Sequence, residues 1–276
     1  MIIVEAMDFT SSYKGALSQV RVRWPTYLFF FGGGSLLLIG LSALSLVQEW
    51  YSFVILALAG LLVLLYFLVA SLWAYHALYD NTNIRDTLFD IGELNPQVTV
   101  VDVNLGLRSF PAALSRRLTT GKVIAIDVYN PQLAPGRPLA RAHGQAERPT
   151  PDPRLSWRDG SISILPLPDN SVQTVTLVQT VNELWQEGDR LRLLREANRI
   201  LMPGGCLLVA ERARTPFNTV ISGPAGLRLR PSSYWLELLQ QSDFKVSASR
   251  SLRDLILCIR VDKRFPDEIT PLPVDR

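Results

Sequence analysis

The sequence is poor in the residues that do metal and redox chemistry. Among 276 residues there are only two cysteines and two histidines, which argues against a tetrahedral zinc site. Cys206 and Cys258 each sit in an apolar, strand-like run, with no paired framework of the kind that staples a small secreted domain. A net charge of +3 is too small to draw the chain to nucleic acid, so the Arg-rich stretches read as solvated helix faces. The most informative lack is of charge itself. Leu28 to Val47 is a run of twenty residues without one, and Phe53 to His76 is a second uncharged run.

Twenty helical residues at 1.5 Å rise cover about 30 Å, the hydrocarbon thickness of a bilayer. Only Gln48, Glu49, Trp50, Tyr51 and Ser52 separate the runs, enough to turn the chain round at a membrane surface. Neither run keeps the polar face of a soluble core helix. A signal peptide would have a shorter apolar region nearer the start and no second span behind it. The expectation is a transmembrane helical hairpin over residues 27–76, with spans at about 27–48 and 52–75, retained on the mature protein. Gly33 and Gly40, seven residues apart with Gly34 beside them, offer a seam for close helix approach. Trp24, Tyr27, Trp50, Tyr51, Trp73 and Tyr75 fall at the interfacial levels. Lys14, Arg21 and Arg23 precede the first span, the turn has no Lys or Arg, and Arg85 follows the second. Both termini, including the segment 1–26, and the soluble domain are therefore expected on the cytoplasmic side of an integral, two-pass protein.

Residues 77–264 suffice for one domain with a substantial core. Strands are expected at Val98–Val103, Val123–Val128, Arg154–Trp157, Val172–Val178, Cys206–Glu211, Lys245–Ala248 and Leu255–Val261. Helices are expected at Phe110–Leu118, Asp189–Leu201 and Ser232–Gln241. That alternation predicts an α/β domain, Rossmann-like, with a mostly parallel sheet covered on both faces. Asn130–Pro153 breaks the rhythm with six prolines, leaving room for a helix only between about Leu139 and Glu147. The tail 265–276 reads as extended or disordered.

In open parallel sheets, ligands bind beyond the carboxyl ends of the strands. Asp102-Val103-Asn104-Leu105-Gly106 carries a strand into a turn and a helix start, where a glycine admits a ligand to the backbone. Asp127 closes the next strand, about twenty residues on, and is suited to accept hydrogen bonds from both hydroxyls of a ribose. Asp159, followed by Gly160, could accept from an adenine amino group. Further on come Leu165-Pro166-Leu167-Pro168-Asp169-Asn170-Ser171, then Gln179-Thr180-Val181-Asn182-Glu183-Leu184, then Arg199-Ile200-Leu201-Met202-Pro203-Gly204-Gly205.

Together these motifs resemble the class I S-adenosylmethionine-dependent methyltransferases, the type 11-like branch acting on small and lipid-like molecules. The resemblance covers about residues 79–262 and is strongest over 155–211. It implies a seven-stranded sheet with its last strand antiparallel and S-adenosylmethionine as cofactor. It matches Asp102, Asn104 and Gly106 to the methionine-binding turn, Asp127 to the ribose acid, Asp159 and Gly160 to the adenine contact, and Thr180 to Leu184 to the floor between cofactor and acceptor. Tyr79 and Asp80 fall where a lid segment often touches the cofactor. The family turn usually has glycine where this chain has Asn104 and Arg108. Asn104 is expected to keep the turn by tolerating unusual backbone angles, whereas Arg108 must either point out of the site or crowd the ligand.

Methyl transfer by this cofactor is an in-line displacement, so a base is needed only where the acceptor loses a proton. Glu183 is the best-placed carboxylate and Asn182 could orient an acceptor. The expected function is a membrane-anchored methyltransferase for a lipophilic small molecule, with Thr215–Arg230 (Phe217, Val220, Ile221, Leu227) as acceptor-side cover. The alternative is an inactive methyltransferase-like scaffold or assembly factor within a membrane-protein complex. A nicotinamide-dependent reductase shares the ribose acid but would need a nucleotide glycine fingerprint, which the sequence lacks.

Overall fold

A computed structural model describes residues 17, 20–76, 84–146, 151–216, 218–219, 226 and 228–265. Lys14, Tyr79, Asp80, Phe217, Val220, Ile221, Leu227 and the tail 266–276 lie outside the described residues. The chain divides into two compact units, one holding the apolar helices and the other the sheet.

The apolar unit holds α1 (Trp24–Val47) and α2 (Tyr51–Trp73, extending to Tyr75). Pro25 sits in the first turn of α1, where its missing N–H leaves no bond unmade. Both helices are long and apolar enough to cross a membrane, and only 6% of each apolar window is buried, unlike a soluble core helix. Phe29, Leu36, Ile55 and Leu62 are all exposed. The seam differs from the one expected. A Cβ on Gly33 or Gly40 would meet nothing, whereas one on Gly34 would stand 3.2 Å from Leu64 and one on Gly60 3.1 Å from Leu38. Each helix thus seats a leucine over a glycine of the other. The π-helical stretch Leu28–Gly33 holds an extra residue in its turn and rotates the contact face away from ideal helical spacing. The Tyr27 and Ser71 hydroxyls, 2.9 Å apart, add a hydrogen bond between the helices.

The second unit runs α3 (Ile84–Gly92), β1 (Val100–Asn104), α4 (Ser109–Ser115), β2 (Val123–Asp127), α5 (Arg137–Gly144), β3 (Leu155–Asp159), β4 (Val172–Val178), α6 (Glu187–Ile200), β5 (Leu201–Arg212), α7 (Ser232–Gln240), β6 (Phe244–Leu252) and β7 (Ile256–Lys263). Seven strands form one sheet in the order β3-β2-β1-β4-β5-β7-β6. β3 to β5 pair in parallel, and β7 lies antiparallel between β5 and β6. This is the Rossmann-like, mostly parallel sheet that the alternation predicted.

Successive residues of β1 face opposite layers. Val101 and Val103 join Leu193, Leu194 and Ala197 of α6 and Trp235 and Leu238 of α7 in the larger core. Val100 joins Phe89 of α3, Leu114 of α4, Leu118 and Val123 in the smaller. Sequence reading did not mark α3. It also placed the helix of the proline-rich insertion too late, because Pro138 occupies the first turn of α5, where proline removes no helical bond. Arg199 clasps the two signature stretches together. Its guanidinium donates to the Leu165 and Leu167 carbonyls, while its own carbonyl and that of Ile200 accept from the N–H groups of Asn170 and Ser171.

Candidate functional site

The strand order reverses between β1 and β4, so the carboxyl ends of β1, β2, β3 and β4 border a crevice. Register aligns three of the candidate residues there. Asn104 pairs with Asp127, and Asp127 with Asp159, setting one polar residue at each of three adjacent strand ends.

Asp102 lies just inside and is buried. Thr176 Oγ1 donates to its Oδ1 at 2.7 Å, and Asn104 Nδ2 donates to its Oδ2 at 2.8 Å. Burial pushes its carboxyl up to about 6, against the pull of those two bonds. Asn104 Oδ1 accepts from the Gly106 N–H at 2.8 Å. Asn104 therefore holds the turn through its side chain rather than through unusual backbone angles: the left-handed residue is Gly106, at φ +75°. Arg108 is taken up elsewhere, its guanidinium 5.9 Å from the centre of the Trp157 ring on β3.

Asp127 Oδ1 accepts from the Tyr129 N–H at 2.9 Å. Its Oδ2 faces His143 Nε2 of α5 at 3.3 Å. Sequence reading missed His143. Its one signal was position, a rare histidine on the short helix of the insertion. Asp159 is exposed at the end of β3. Gly160 donates its N–H to the Asp127 carbonyl, and a Cβ there would stand 2.6 Å from Ile126, so the close approach of β3 to β2 requires glycine.

The floor begins at Gln179, whose φ of 52° swings the chain out of β4. Thr180 is buried and donates to the Val103 carbonyl at 3.1 Å, tying the floor to β1. The Val181 N–H donates to Glu211 Oε1 at 2.7 Å. Glu211 is fully buried, and burial pushes it up to about 8. Its Oε2 has no partner. Asn182 and Glu183 are half-buried, and Glu183 Oε2 would lie 3.6 Å from a Cβ on Gly136, just ahead of α5. Arg190 donates twice to the Leu184 carbonyl, closing the floor from α6. Within the segment 215–230, buried Asn218 donates to the Ala213 and Leu255 carbonyls at 2.8 and 2.7 Å.

Among the described residues, no cluster of His, Cys, Asp or Glu could hold a metal ion. The turn fits a nucleoside cofactor. Gly106 carries no side chain and lies beside the Asp127 carboxylate with the His143 ring against it, and two further polar strand ends flank that carboxylate.

The fold is that of a Rossmann-like methyltransferase. Residues 101–209 match the family described as methyltransferase domain, and two apolar helices precede the matched stretch. A probable S-adenosylmethionine-dependent methyltransferase of Mycolicibacterium smegmatis is 34% identical over 97 residues, covering 34% of this chain and 37% of that protein. A ubiquinone/menaquinone biosynthesis C-methyltransferase of Dinoroseobacter shibae is 28% identical over 185 residues, covering 67% of this chain and 66% of that one. The chain thus spans less than two thirds of either relative. The crystal structure of a SAM-dependent methyltransferase from Aquifex aeolicus shares the fold, with a TM-score of 0.50 and 19% identity over 65% of this chain and 89% of that one. Family and fold imply S-adenosylmethionine as the cofactor.

Proposed function

We propose that the protein is a membrane-anchored, S-adenosylmethionine-dependent methyltransferase for a lipophilic small molecule: a quinone precursor, isoprenoid, pigment or lipid. The observation that carries the reading is the alignment of Asn104, Asp127 and Asp159 at adjacent strand ends beside the Gly106 turn. Asp127 would take the ribose hydroxyls, Asp159 and Gly160 would hold the adenine, and Asp102 with Asn104 holds the turn that would receive the methionine end. The bound cofactor supplies a methyl carbon activated by its sulfonium. Thr180 and Glu211 fix the floor, Asn182 orients the acceptor and Glu183 takes its proton where one must leave. The outward-facing apolar surface of α1 and α2 supports anchoring, which concentrates the domain where lipophilic acceptors dissolve. The balance of Arg and Lys supports a cytoplasmic face for the domain and both termini. The Dinoroseobacter shibae relative, by its name, points to a quinone-type acceptor.

The test incubates membranes containing the full chain with methyl-labelled cofactor. Label in the organic extract, from protein that resists alkaline carbonate extraction, is expected. Label confined to soluble proteins, or release of the chain by carbonate, would contradict the reading.

One observation favours the scaffold alternative: Asn104 and Arg108 stand at family glycine positions while His143 lies on Asp127. A folded protein that binds no cofactor and stays within a membrane-protein complex would favour it.

A further inference from the structure

The cofactor crevice holds a side chain of its own. His143 Nε2–H donates to Asp127 Oδ2 at 3.3 Å, and Tyr129 N–H donates to Oδ1, so the chain itself engages both oxygens of the carboxylate expected to take the ribose. The imidazole also lies on the glycine turn. A Cβ on Gly106 would stand 2.2 Å from His143 Cδ2, 2.5 Å from its Nε2 and 2.7 Å from Asp127 Oδ2. The Tyr129 ring stacks on it, with centroids 4.2 Å apart and an angle of 24° between planes. The ring thus lies against the backbone that would admit the ligand and is bonded to the acid that would hold it.

We infer that His143 is a built-in competitor for the ribose position: it closes the crevice in the free protein and must leave Asp127 before the cofactor can bind. The inference rests on the cofactor site of the proposed function. The arrangement around α5 suits such a movement. The helix has eight residues, begins after Gly136 and ends on Gly144, beside which a Cβ would meet nothing. Leu139 is its one buried side chain, and the Leu133 carbonyl, ahead of it, accepts from the Trp185 N–H at 3.0 Å. The base of the segment is thereby tied to the floor while His143 stands at its far end. A protein that closes on itself binds more weakly in proportion to its closed population. The competing contact is one hydrogen bond to a carboxylate and one ring stack, so its removal should change affinity by about three- to tenfold.

The experiment titrates the full chain in detergent with S-adenosylmethionine and S-adenosylhomocysteine by calorimetry, comparing wild type with His143→Ala. Amide exchange of residues 137–144 is followed in the wild type with and without cofactor. The variant should bind about three- to tenfold more tightly, and cofactor should raise exchange across the helix in the wild type. Wild-type binding that the variant leaves unchanged or weakens, or a helix whose exchange does not move, would overturn this inference and leave the proposed function standing. Absence of binding by both folded proteins would overturn the proposed function and this inference with it.

Discussion

Buried carboxylates set the residue-scale chemistry of this domain, and two of them should govern its response to pH. Glu211 has no exposed surface, and burial pushes it up to about 8 from an ordinary 4.5; Asp102 is moved to about 6 from 3.8. A carboxyl raised on folding keeps its proton in the native state after the unfolded chain has lost it, so stability falls as pH rises. For Glu211 the loss runs from about 4.5 to about 8, and for Asp102 from about 3.8 to about 6. Denaturant melts of the wild type should lose a few kcal/mol between pH 5 and 8 by this linkage. Glu211→Gln should flatten the upper part of the slope, and an equally steep slope in that variant would contradict the assignment. Asn104 joins Asp102 to the Gly106 N–H through both ends of its amide. Asn104→Gly, although it restores the family's usual residue, should therefore cost about 1–3 kcal/mol in a thermal melt, because Asp102 Oδ2 is left unpaired. A variant as stable as wild type would show that the side chain does not hold the turn.

At the scale of elements, the turn after β1 and α5 constrain each other. Gly106→Ala must accept φ +75° and push the His143 ring aside. It should cost more than the roughly 1–3 kcal/mol of the strained backbone alone. Adding His143→Ala removes the clash but not the backbone strain, so the double variant should recover part of the loss. Strictly additive losses in the double-mutant cycle would contradict the contact. This pairing also marks where sequence reading stops. β2 is legible because a strand buried on both faces must be apolar, and its polar end at Asp127 then stands out. Asp127 is legible as a strand-end acid. Its contact with His143 is not, because it depends on how the proline-rich insertion folds back after Pro138. The stack of Arg108 on Trp157, the choice of Gly34 over Gly33 as a helix contact and the burial of Glu211 are likewise set by tertiary packing. Nothing in the local pattern distinguishes buried Glu211 from half-buried Glu183.

At the scale of the whole molecule, two units divide two physical tasks. The apolar unit turns leucine, isoleucine and phenylalanine outward and seats Gly34, Gly60, Tyr27 and Ser71 in the seam between its helices. The sheet unit buries its apolar residues in two layers and gathers polar residues at the strand ends. The first arrangement suits hydrocarbon and the second suits water, the division that the proposed methyltransferase for lipophilic acceptors would need.

In the proposed site, the strand ends around Gly106 receive S-adenosylmethionine through Asp127. Calorimetric titration of the solubilised full chain, beside Asp127→Ala, tests it most directly. Micromolar binding that falls at least about tenfold in the variant is predicted, since the ribose would lose its charged acceptor. Absence of binding by the folded wild type, or equal binding by both proteins, would contradict it.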